Sequence, residues 1–182
     1  MIYLIGASTG GPGLLERIIL SLDKNSEDVL VVAQHMDKIS LKSLAKRFAR
    51  VCERHVILVD EPTAVEKGKV YLLGETCRLE ERAGPTLVPQ TNQDRFYLPT
   101  IDELFRSATS LHHHKITAIL LSGIGADGAE GLLALKTNGF HTIAQDEASS
   151  IVYGMPKRAK EMGAADEILS IEAIADIIGD RT

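Results

Sequence analysis

The chain has 182 residues, enough for one domain with a full hydrophobic core and no need of covalent staples. Apolar residues make up 45% and charged residues 25%, and the net charge of -5 comes without a basic block, which argues against nucleic acid or an anionic membrane surface as the main partner. No apolar stretch approaches the ~20 residues of a membrane helix, no basic region leads into a signal-peptide core, and the two cysteines, Cys52 and Cys77, lie far apart, so a soluble, cytoplasmic protein with reduced thiols and no membrane insertion is expected.

Residues 2–5 are apolar and β-rich and read as a buried strand. The turn Gly6-Ala7-Ser8-Thr9-Gly10-Gly11 comes next, and Pro12 opens a helix in which Leu14, Leu15, Ile18, Ile19 and Leu22 recur at helical spacing. Residues 29–33, Val-Leu-Val-Val-Ala, are too short for a helix, and their lack of alternation fits a parallel strand covered on both faces. Ser40 stands as the cap of a helix carrying Leu41, Leu44, Phe48 and Val51. Strands are expected over 56–59 and 69–73, then a hairpin and loop excursion over 74–99. Thr100 is the expected cap of a helix reaching about Leu111. A strand over 116–121, a helix over 129–137, a strand over 140–144 and helices over 155–162 and 171–178 complete the chain. Strands alternating with helices of this kind specify an α/β fold: a single three-layer domain with a mostly parallel, doubly wound sheet, helices on both faces and a small hairpin excursion.

In such a sheet, ligands sit outside the carboxyl ends of the strands. Three polar turns leave the three strongest strands: Ser8 after the first, Gln34-His35-Met36 after the second, and Ser122-Gly123-Ile124-Gly125-Ala126-Asp127-Gly128 after the strand at 116–121. Ser8, His35 and Asp127 therefore project from one edge, and they are the parts of a nucleophile, a general base and an orienting acid. A serine hydroxyl is a poor nucleophile at neutral pH and needs a base within reach; a carboxylate on the far ring nitrogen fixes the tautomer and stabilises the imidazolium. Gly10, Gly11 and Gly13 let the backbone turn so that amides at the next helix start face a developing oxyanion. Each residue alone has a plainer reading, as helix cap, strand-end histidine or turn residue; the shared edge is what favours catalysis.

Other motifs fit less well. Gly6 and Gly11 have the outer spacing of a phosphate-binding loop, but Pro12-Gly13 stands where lysine and a hydroxyl are needed. Gly6-Ala7-Ser8-Thr9-Gly10 fits a G-x-S-x-G elbow, although the order Ser, His, Asp differs from that of the α/β-hydrolases. His112-His113-His114 points its side chains in different directions and shows no partner ligand spacing, so it reads as a solvated loop and no metal site is assigned.

The segments IGASTGG at 5–11, VAQHM at 32–36, LSGIGADGAEGLLALK at 121–136 and TIAQDEASSIVYGMP at 142–156 together resemble the catalytic domain of the chemotaxis protein-glutamate methylesterases, the CheB family. The resemblance puts the nucleophile, base and acid on Ser8, His35 and Asp127. It sets Thr9 and Gly10 beside the serine, and Ile124 and Gly125 in the active-site loop. It implies hydrolysis of γ-glutamyl methyl esters on methyl-accepting chemotaxis receptors, with deamidation of certain glutamines, and no cofactor. The rival readings are a non-catalytic binding module of the same fold, and an esterase acting on another protein substrate.

The chain departs from the family pattern at Gly123-Ile124-Gly125, where methionine usually stands centrally, at Leu73-Gly74-Glu75-Thr76-Cys77, and at Leu98-Pro99-Thr100, where an arginine is absent. With the first strand beginning at Ile2, the expectation is a catalytic domain over 1–182 without the family's receiver domain. The expectation is hydrolysis without phosphoryl activation, or a receiver-domain protein acting in trans.

Overall fold

The structure, a computed structural model, describes residues 1–91 and 98–179. The chain opens with strand β1 (Ile2–Ala7), helix α1 (Gly11–Ser21), strand β2 (Val29–Gln34) and helix α2 (Lys38–Val51). Strands β3 (Val56–Val59), β4 (Thr63–Ala64), β5 (Val70–Leu73), β6 (Cys77–Glu81) and β7 (Pro85–Pro89) come next. They are succeeded by α3 (Ile101–Ser107), a 3-10 turn at Ala108–Ser110, β8 (Ile116–Leu120), α4 (Ala129–Thr137), β9 (His141–Gln145), α5 (Met155–Glu161), β10 (Glu167–Leu169) and α6 (Ile171–Ile178).

Seven strands form one sheet in the order β10-β9-β8-β1-β2-β5-β3, every pair parallel, and β4-β7-β6 form a small antiparallel sheet. The pleat sends Ile2 and Leu4 of β1 to one face, where α3, α4, α5 and the small sheet supply Phe105, Leu132, Met155 and Leu87. Tyr3, Ile5 and Ala7 go to the other face, against Leu15 and Ile18 of α1, Phe48 of α2 and Ile174 of α6. Both faces are covered, which is why the strands are apolar throughout; burying one such side chain contributes roughly 1.5–3 kcal/mol. The expected three-layer α/β architecture is the one observed.

From β1 the chain winds outward to β2, then returns to β8 on the other side of β1 and winds away through β9 and β10. The reversal opens a crevice at the carboxyl ends of β1 and β8.

Three local expectations need correction. The cap of α2 is Asp37, whose carboxylate accepts from the Ser40 amide at 2.9 Å; Ser40 lies inside the helix and its hydroxyl donates to the same carboxylate. Thr100 holds the N-cap position of α3 but its side chain makes no capping bond. That helix stops at Ser107 and tightens into the 3-10 turn before Leu111. Strand β10, three half-exposed residues at the sheet edge, and the two-residue β4 carry too little apolar pattern to be read from sequence. The hairpin expected within 74–99 is β6-β7; residues 92–97 of that stretch lie outside the described residues.

Candidate active site

The strand register brings the predicted residues together. Ala7 pairs with Gln34 as the last rung between β1 and β2, and the His35 amide donates to the Ala7 carbonyl at 2.9 Å, so Ser8 and His35 leave neighbouring strands at one level. On the other side, the Ser8 amide donates to the Ser122 carbonyl at 3.0 Å, which ties the residue to the segment leaving β8. Ser8 thus sits in the crevice between β2 and β8, only 7% exposed.

Two glycines make this approach possible. Gly10 turns the chain into α1 with φ of 83°, in the left-handed region where a side chain is strained. At Gly123 a Cβ would stand 2.6 Å from Ser8 Cβ and would also meet the Met155 methyl group, so only glycine lets the loop lie against the serine.

His35 Nε2 lies 2.6 Å from Asp127 Oδ2, with the two side chains 5% and 12% exposed. The same Oδ2 accepts the Ile101 amide at 2.9 Å, and Oδ1 accepts the Asp102 amide at 2.9 Å. These bonds give Asp127 a place in the fold: it caps α3 from outside, where Thr100 does not. Burial pushes its carboxyl up, but the hydrogen bonds from His35, Ile101 and Asp102 outweigh burial and hold it below the usual carboxylate value. A carboxylate on Nε2 favours the neutral tautomer that carries its proton on that nitrogen. No hydrogen bond joins Ser8 Oγ to another described residue, and such catalytic bonds are commonly long before substrate binds.

The sequence reading missed the buried polar side chains that hold this edge. Gln34 Nε2 donates to the Ser8 carbonyl at 2.9 Å and to the His35 carbonyl at 3.1 Å, bridging the two turns. Ser122 Oγ donates to the Thr9 carbonyl at 2.8 Å and accepts the Val152 amide at 2.9 Å, while the Ser122 amide donates to Gln145 Oε1 at 2.7 Å. The available signal was a glutamine closing each of two apolar strands, β2 and β9.

Thr9 and Gly10 bring their amides to the serine turn, and neither donates to a carbonyl among the described residues. Ile124 and Gly125 lie in the facing loop, with the Ile124 side chain 54% exposed. Ile151 covers Gly10. Beside His35 a cavity of about 510 Å³ is lined by Met36, Lys38, Glu75, Thr76, Leu98 and Pro99, and a Lys38–Glu75 ion pair of 2.8 Å crosses its rim. Two of the three departures from the family pattern, around Glu75 and Leu98, meet in this one cavity.

Two histidines of the run at 112–114 have partners elsewhere. His112 stacks on Phe140 with ring centroids 5.3 Å apart, and His114 Nε2 lies 2.6 Å from Glu81. Among the described residues no three His, Cys, Asp or Glu side chains converge to hold a metal ion.

The sequence matches the profile of the CheB methylesterases over residues 3–178. The chain belongs to the CheB methylesterase family. The solved CheB methylesterase catalytic domain of Thermotoga maritima superposes with a TM-score of 0.90 at 32% identity, covering 98% of this chain and 97% of that one. A protein-glutamate methylesterase/protein-glutamine glutaminase of Carboxydothermus hydrogenoformans is 38% identical over 97% of this chain, and one of Cupriavidus metallidurans is 38% identical over 94%. The chain spans about half the length of these CheB relatives, 52% and 51% respectively. No helix among the described residues is long and apolar enough to cross a membrane.

Proposed function

We propose that the chain is a cytoplasmic serine hydrolase that removes methyl esters from glutamate γ-carboxyls of bacterial chemoreceptors and deamidates receptor glutamines. Ser8 is the nucleophile, His35 the general base and Asp127 the acid that orients it. The observation that carries this reading is the buried 2.6 Å His35–Asp127 bond, set one residue beyond the last β1–β2 rung and level with Ser8. The names of the relatives supply the ester and the amide.

In this reading the work is divided among the three side chains. Ser8 Oγ attacks the ester carbonyl carbon while His35 Nδ1 takes its proton. The negative charge that develops on the carbonyl oxygen falls to the amides of Thr9 and Gly10, with the Ile124–Gly125 loop closing the opposite side. The carbon–oxygen bond to the methoxy group then breaks, and the proton on Nδ1 goes with that oxygen, releasing methanol; from a glutamine the leaving group is ammonia. Water, deprotonated by the same nitrogen, hydrolyses the acyl-serine and restores the hydroxyl, leaving glutamate. Asp127 keeps Nε2 protonated throughout and stabilises the imidazolium between the steps.

The supporting experiment is methanol release from receptor membranes carrying labelled methyl esters. The chain should release label, and Ser8→Ala should release none above the spontaneous rate. Equal release by both would remove the serine from its role. Regulation by a receiver-domain protein in trans belongs to the same proposal, and adding such a protein to the assay tests it.

A further inference from the structure

Asp127 is not the only aspartate of this corner. Asp102 lies in the first turn of α3, and its Oδ1 accepts the Gly131 amide of α4 at 2.7 Å. Helix α4 begins after Gly128, which has no side chain to cap it, and α3 begins after Thr100, which makes no capping bond. Asp127, just before α4, takes the Ile101 and Asp102 amides of α3; Asp102, on α3, takes an amide of α4. Each helix supplies the carboxylate that the other lacks. The contact is built for closeness, because a Cβ on Gly131 would stand 2.8 Å from Phe105 Cβ and 3.0 Å from Asp102 Oδ1.

We propose that Asp102 is a positioning residue for this site: it locks the α4 entry against α3 so that Asp127 is held on His35, and its negative charge beside Asp127 strengthens the hold of that pair on the proton taken from the nucleophile. The proposal rests on the hydrolytic reading above. Two carboxylates side by side repel, and the amides of two helix starts offset part of that repulsion. The remaining strain falls on Asp102. Burial and, after it, the Asp127 charge push its carboxyl up to about 6, against the lowering by the Gly131 amide and Arg106. The charged groups around it are Asp127 before α4, Glu130 of α4, which is paired with Arg106, and His35 beyond β2. Glu103 on the same helix is engaged by Arg78 of β6. Asp102 therefore takes up a proton more readily than an ordinary aspartate.

Two variants separate charge from packing. Asp102→Asn keeps an oxygen for the Gly131 amide and removes the charge; Asp102→Ala removes both. Three properties are read: the thermal melt, kcat and KM for methyl ester hydrolysis, and the far-downfield proton resonance of the His35 Nε2–Asp127 Oδ2 bond, identified by its loss in His35→Gln. At pH 8, Asp102→Asn should fold, keep its KM, lose kcat several-fold and show that resonance displaced; Asp102→Ala should lose more. An unmoved resonance and unchanged kcat in Asp102→Asn would overturn the proposal. So would a loss confined to Asp102→Ala that tracks its melting temperature, since packing alone would explain it. A displaced resonance in Asp102→Asn, in a protein whose wild-type chain releases no methanol, would support the positioning role and refute the hydrolytic reading instead.

Discussion

Among the described residues, three histidine–carboxylate pairs have the same nitrogen–oxygen separation, 2.6 Å: His35–Asp127, His114–Glu81 and His141–Glu167. Their surroundings differ. In the first pair the side chains are 5% and 12% exposed, and the carboxylate also accepts two backbone amides. In the second they are 26% and 49% exposed, and in the third 42% and 46%. A surface pair at this distance is screened by water, contributes little to stability, and gives its imidazole no fixed direction. The buried pair fixes the direction of its imidazole, because Asp127 is itself held by the Ile101 and Asp102 amides. Distance alone does not distinguish the pairs; burial and the additional donors on the carboxylate do.

The largest effects should come from breaking the buried pair. Ser8→Ala and His35→Gln should each lower methyl ester hydrolysis at least about a thousandfold while the chain stays folded, because members of such a unit fail together. Asp127→Asn should be nearly as damaging and should also melt earlier, since it weakens the capping of α3. Steady-state rates with circular dichroism melts check all three.

Crowding the serine should cost less than deleting it. Gly123→Ala would press a methyl group on Ser8 and Met155, so about 1–3 kcal/mol of stability and most of the activity should be lost. Denaturant titration beside the rate assay measures this.

The two aspartates should respond oppositely to pH. Asp127 is held below its ordinary value in the fold, so the stability it contributes is present above the unfolded-state value of about 3.9 and is lost as pH falls through its folded value. Asp102 is pushed up to about 6, so its ionised form is disfavoured in the fold; that cost is absent below about pH 4 and complete above pH 6. Asp102→Asn should accordingly raise the melting temperature at pH 8 and leave it nearly unchanged at pH 4. A higher melting temperature together with a lower kcat would mark a carboxylate kept for its work at the expense of stability.

The smallest effects belong to the surface pairs. His114→Gln and His141→Gln should change stability by less than about 0.5 kcal/mol and leave hydrolysis alone. A large loss of activity from either would break the distinction between buried and surface pairs.

Much of this was legible in the sequence, for definable reasons. Strands β1, β2 and β8 are continuous apolar runs because both faces of the sheet are covered, and parallel strands bring the turns at their carboxyl ends, which carry Ser8, His35 and Asp127, to one edge. The features that escaped depend on contacts between distant segments or on local backbone geometry. Asp37 rather than Ser40 caps α2, a choice between two good capping residues that only backbone geometry settles. Thr100 reads as a cap because of its residue type, but its helix is capped by Asp127 from 26 positions away. Asp102 looks like any acidic residue in a first helical turn, and its reach to Gly131 depends on how α3 meets α4. Gln34 and Ser122 stand at the ends of the apolar runs, yet only the assembled crevice shows that they tie the turns to one another.

In the proposed mechanism the activation of Ser8 by His35 comes first. It is tested most directly by exposing the folded chain to a fluorophosphonate at neutral pH and finding the modified residue by peptide mass spectrometry. Fluoride leaves as the serine oxygen bonds to phosphorus, so only an activated hydroxyl reacts quickly. The account predicts a single adduct on the peptide containing Ser8, formed rapidly in the wild-type chain and at a small fraction of that rate in folded His35→Gln. No adduct on Ser8, or labelling just as fast in His35→Gln, would contradict it.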